Sequence, residues 1–124
     1  MMLVIRESGR RLGNRIGRAD TFLRRFRGLM LTDSLPEGAG LHLAPCRAVH
    51  SFLMKYPIDV LHLDSDGRIV GMERELKPGN LGVSFRGTRS VVELPAGTLE
   101  RAEVQVGQTA VFEPSDEETP NTHI

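Results

Sequence analysis

The chain has no tryptophan, a single tyrosine, a single cysteine and no long apolar run. One cysteine cannot close an internal disulfide, so the fold has to stand without an oxidising compartment. The opening MMLVIRE is interrupted by Arg6, well short of the apolar core of a signal peptide, and nothing approaches the roughly 18 apolar residues of a membrane span. A cytoplasmic protein is therefore expected. Lysine is also scarce, because 14 of the 16 basic residues are arginine. Arginine suits bidentate contacts to phosphate, but the first 21 positions hold no aromatic side chain on which a base could stack, so nucleic acid is not the expected partner.

What is present fits one ordinary soluble domain: 124 residues, 40% apolar and 26% charged. The net charge of zero hides an asymmetry. Residues 1–30 carry eight arginines against Glu7 and Asp20, while residues 91–124 carry Arg101 against seven acidic side chains. The two ends can attract one another or meet different partners. The stretch SDEETPNTH after Pro114 offers no apolar side chain to bury. We expect a single globular domain over 1–112 and a disordered acidic tail over 113–124.

Short strands separated by turn signals predict a mainly β (α+β) fold, compact and barrel-like, with about six to eight strands. Leu3-Val4-Ile5 reads as a strand, and GRRLGNRIGRAD after it as a loop or weak hairpin. Phe22, Leu23, Phe26, Leu29 and Met30 form a helical stripe, which gives one main helix near residues 20–30. Gly40 to Leu43 starts a strand closed by Pro45. Ile58 to Leu63, the turn Asp64-Ser65-Asp66-Gly67 and the returning Arg68 to Met72 make the clearest hairpin. The aspartates of that turn lack the remainder of a calcium loop. KPGNLGVSFRGT is a loop long enough to carry function. Ser90 to Leu94 is a strand, Thr98 caps a short helix near 98–103, and Val104 to Phe112 reads as two strand pieces joined at Gly107.

The chemically versatile side chains gather before the hairpin. Cys46, His50 and Met54 are spaced by four and together form a ligand set that soft metals favour. On a helix such neighbours lie about 6 Å apart, whereas on a strand they are about 13 Å apart and cannot share an ion. Pro45 and Pro57 bound this segment and favour a strand, which also weakens Cys46 and His50 as a nucleophile pair. Histidines from neighbouring strands, His42 and His62, leave a metal site assembled across strands open. Asp59 can act as a general base or, at the start of its strand, accept backbone N–H bonds.

The residues Ala19 to Thr21, Arg27-Gly28-Leu29-Met30, Leu35, Gly40-Leu41, Phe52, Met54, Pro57-Ile58-Asp59, Asp64, Gly67, Glu93-Leu94-Pro95-Ala96-Gly97 and Val106-Gly107 resemble the pattern of the domain of unknown function 192 family over about residues 2 to 112. The resemblance implies a small, mainly β domain with a helix before the Gly-Leu-Met motif, and no established activity or cofactor. Many members resemble exported or lipid-anchored proteins, and this chain departs from them in its opening and in having Leu53 where an aromatic residue usually stands.

These readings converge on a small non-enzymatic accessory domain that binds a ligand or protein partner in a pocket near residues 46–59. Met30, His50, Met54 and Asp59 are its candidate lining, and His50 is the residue to alter first. The alternative is a metal-binding protein or metal-dependent enzyme using Cys46, His50 and Met54. No complete catalytic set is visible, and no particular cofactor is indicated.

Overall fold

A computed structural model describes residues 1–19, 33–48 and 55–115 of the chain. Within them lie eight strands and one short helix: β1 (Met2–Ile5), β2 (Arg11–Gly13), β3 (Arg15–Ala19), β4 (Ala39–Leu43), β5 (Ile58–Leu63), β6 (Ile69–Leu76), β7 (Ser90–Pro95), α1 (Thr98–Arg101) and β8 (Ala110–Glu113). The mainly β expectation holds. The strands form two sheets rather than one closed barrel, a three-stranded sheet ordered β2-β1-β8 and a five-stranded sheet ordered β3-β4-β7-β5-β6.

The N-terminal stretch read as a loop or weak hairpin contains two strands, the first paired antiparallel with β1, because Leu12, Ile16 and Ala19 are buried while the arginines between them stay outside. β3 and β4 run parallel, and parallel neighbours need a crossover of a dozen or more residues instead of a tight turn. Residues 20–38 make that connection. Residues 20–30, where a helix is expected, lie outside the described residues. Val104 to Val106 is not a strand, and β8 forms alone beyond Gly107. β8 takes in Glu113, and Ser115 is buried. The rest of the expected tail, 116–124, lies outside the described residues.

The hairpin of β5 and β6 follows its sequence signal. Asp64 Oδ1 accepts the Asp66 and Arg68 N–H groups at 2.8 and 2.9 Å, and Gly67 supplies the positive φ of 82° that closes the turn. Beyond it Gly71 sits beneath the Phe85 ring, where a Cβ would collide with the ring carbons.

β5 and β7 are the middle of the fold, with all six residues of β5 and five of six in β7 buried. Alternation divides their side chains between two layers. Leu61, Leu63, Val92 and Leu94 face the small sheet and pack with Leu3, Ile5, Leu12, Leu99 and Val104. Ile58, Val60 and Val91 point the other way, with Ala19 and Leu43, and are joined there by Leu41, Cys46, Tyr56 and Leu76. A strand buried on both faces is normally an unbroken apolar run, yet β5 and β7 carry Asp59, His62, Ser90 and Glu93 inside them.

The Gly71 contact is directly testable. Gly71→Ala should destabilise the protein by about 1–3 kcal/mol through overpacking, and Phe85→Ala in the same chain should relieve much of that loss because the two sites touch. Urea denaturation of the two single variants and the double variant measures the coupling, and additive losses would show that the ring does not impose the glycine.

Candidate functional site

Asp59 is completely buried on the layer between the sheets, and its carboxylate is occupied by backbone. Oδ1 accepts the N–H of Glu75 at 2.9 Å, and Oδ2 accepts the N–H of Leu99 at 2.9 Å. Glu75 has a φ of 54°, costly for a residue with a side chain, at a point where the β5–β6 register slips. Leu99 lies in the first turn of α1, whose start has no side-chain cap of its own. The sequence points to Thr98 as the cap, but its hydroxyl donates to the Pro95 carbonyl at 2.7 Å, and Asp59 does the capping from a distant strand. One carboxylate thus fixes both a strained strand residue and a helix start.

The other sequence candidates separate. Cys46 is half-buried against the outer layer, with its thiol donating to the Ala48 carbonyl at 3.2 Å. It lies on the opposite side of the large sheet from the Asp59 carboxylate. His42 and His62 also point to opposite faces, since His42 pairs with Val92 and His62 with Val91. His42 stacks on Phe112 with centroids 4.4 Å apart, and burial, aided by the Arg18 charge, lowers its pKa to about 4, so it is neutral. Among the described residues no group of three or more His, Cys, Asp or Glu is placed to hold a metal ion. Met30, His50 and Met54 lie outside the described residues.

Two features of the outer face, His62 and Glu93, lie outside the candidate lining of Met30, His50, Met54 and Asp59, and the sequence raises His62 only as a cross-strand metal ligand. His62 is fully buried, its Nε2 2.9 Å from Glu73 Oε2 and its Nδ1 3.2 Å from the Thr88 hydroxyl, with Phe85 edge-on at 4.6 Å. An ionised Glu73 can only accept, so a neutral His62 carries its proton on Nε2 and accepts from Thr88 on Nδ1. Glu73 Oε1 also takes the Val83 N–H at 2.7 Å, which ties the 77–89 loop to this chain of contacts.

The second feature is Glu93. It stands in the middle of β7, opposite Leu41 on one side and Val60 on the other, and only 3% of its surface is exposed. Its neighbours on that face are Val60, Val91 and Leu41. Desolvation raises its pKa from 4.5 to about 7. The signal available in the sequence was a lone charge inside the apolar run Ser90 to Leu94.

The DUF192 family, described as an uncharacterised group, matches residues 3–112. The chain belongs to the DUF192 family. A UPF0127 protein of Thermococcus sibiricus is 32% identical, with 94% of this chain and 77% of that protein covered. A UPF0127 protein of Thermococcus kodakarensis is also 32% identical, covering 94% and 76%. Among solved structures, a protein of unknown function from Novosphingobium aromaticivorans matches with a TM-score of 0.81 at 19% identity, covering 90% of this chain and 84% of that one. A Sinorhizobium meliloti protein named as a candidate transcription regulator matches at 0.76 and 24%, covering 89% of each. At these identities the two structures establish the shared fold alone. No described helix of this DUF192 chain is long and apolar enough to cross a membrane.

Two outcomes test this geometry. Asp59→Ala should cost about 2–4 kcal/mol in chemical denaturation, because two buried N–H groups lose their acceptor; an unchanged midpoint would contradict the clamp. For Glu93 the sign follows from a folded pKa raised from 4.5 to about 7. The folded state binds the extra proton, so this group lowers stability progressively as pH rises from about 4.5 to 7, with no further change above. Glu93→Gln lacks that penalty. Its stability relative to the unaltered protein should therefore improve by about 3 kcal/mol between pH 4 and pH 8, and a pH-independent difference would refute the raised pKa.

Proposed function

We propose that this DUF192 chain is a small non-enzymatic binding domain, with its ligand held where the 46–59 segment borders the outer face of the large sheet. The observation that carries this reading is the Glu93 carboxyl, buried beside Val60 in the apolar layer against which Cys46 and Tyr56 pack, and poised near neutrality. A core strand gains nothing in stability from such a group, and strongly perturbed carboxyls concentrate at functional sites. Held neutral, it can both donate and accept a hydrogen bond, which suits an uncharged polar ligand group such as an amide or a hydroxyl. Met30, His50 and Met54 are proposed to complete the lining.

A thermal-shift screen of small polar metabolites, run at pH 6, tests the reading. Compounds that raise the melting temperature of the unaltered protein should lose their effect on His50→Ala and Glu93→Gln, while the ligand-free melting temperature of His50→Ala stays nearly unchanged. Destabilisation of His50→Ala with binding intact would make His50 a packing residue and defeat the proposed site.

A further inference from the structure

At the edge of the same face, the chain builds a cleft of about 340 Å³ from Arg47, Ser84, Phe85, Arg86, Gly87, Thr88 and Arg89. Three of its residues are arginines and none is acidic. The backbone holds them there. Phe85 to Thr88 is a tight turn closed by the Thr88 N–H to the Phe85 carbonyl at 3.2 Å, with Gly87 at φ 91°, and Arg86 stands at its outer corner. Arg89 donates its N–H to the Leu63 carbonyl at 2.8 Å and accepts the Cys46 N–H at 2.9 Å. That second bond sets Arg47, the residue after Cys46, beside Arg89. Thr88 is the buried residue of the cleft, and the His62 and Glu73 contacts described above fix its hydroxyl.

We propose that this cleft is an oxyanion site of the phosphate class, separate from the ligand position at Glu93 and independent of that reading. Guanidinium groups are planar forks that match phosphate oxygens two at a time and stay charged at every physiological pH. Three of them on a short turn and its clamped neighbour would repel one another, and an anion removes that repulsion. The Thr88 hydroxyl is directed inward to His62, so the guanidinium forks and the exposed Ser84 hydroxyl are the donors for the anion. The volume falls in the range of small-molecule pockets and exceeds what a bare phosphate ion fills, and Phe85 supplies an apolar wall. The shared chemistry is a phosphate group, free or carried as a monoester of a small molecule.

Isothermal titration calorimetry of the full chain with inorganic phosphate and with phenyl phosphate at pH 7.5 decides the matter. Both should bind. A tighter fit of phenyl phosphate assigns the site to a monoester, and equal or weaker binding assigns it to the free ion. Arg86→Ala should weaken both at least roughly tenfold, the loss of one charge-assisted contact, without lowering the melting temperature. Arg86→Lys, which keeps the charge and loses the fork, should fall between and gives the reading if the alanine variant folds poorly. Absence of binding of either compound at millimolar concentration, or affinity unchanged in both variants, overturns the proposal.

Discussion

The fold depends on two adjacent strands that have no solvent-facing side and yet carry ionisable groups. β5 and β7 lie between two apolar layers, so each polar atom in them needs a partner inside the protein or a neutral form. Asp59 meets that demand with two backbone N–H groups, and in doing so ties β6 and α1 to β5. His62 meets it with Glu73 and Thr88. Glu93 meets it by a pKa raised to about 7, which keeps its proton on below neutral pH. The first two solutions build structure, whereas the third leaves a buried hydrogen-bonding group on the face against which Cys46 and Tyr56 pack.

The same logic orders the surroundings of the outer face. Glu73 receives His62 on one oxygen and the Val83 amide on the other, so the loop carrying Ser84 to Arg89 is anchored through a core histidine. Phe85 packs down on Gly71 and against His62 from that loop. The arginine cleft is therefore positioned by buried contacts, even though its guanidinium groups lie at the surface. The charge asymmetry between the chain ends has a smaller structural expression: Arg10 meets Glu103 at 3.3 Å, an exposed pair of little energetic weight.

Features set by neighbouring residues were legible in the sequence. The Asp64–Gly67 turn, the strands around it, the strand from Ser90 and the short helix after Gly97 all arise from local turn chemistry and alternation. The Gly and Arg content of residues 9–18 concealed β2 and β3, because their apolar positions are few and β3 pairs with the remote β4 rather than with a sequence neighbour. The work of Asp59 was half legible. Its position predicted acceptance of backbone N–H groups, but the donors lie 16 and 40 residues away and no spacing rule connects them. Glu93 belonged to the stretch that carries the family resemblance, yet the sequence does not say that both faces of its strand are covered, and that double burial is what perturbs its carboxyl. The arginine cleft draws on residue 47 and residues 84–89, which a backbone bond at Cys46 brings together.

The central claim is that burial raises the pKa of a carboxyl in the middle of β7 to about 7. Carbon-13 NMR titration of the Glu93 side-chain carboxyl, assigned by its loss in Glu93→Gln, measures this directly. The account predicts a midpoint near 7, well apart from the other glutamates. A midpoint near the ordinary carboxylate value of 4.5 would mean that Glu93 is charged and solvated in the folded protein, and would contradict it.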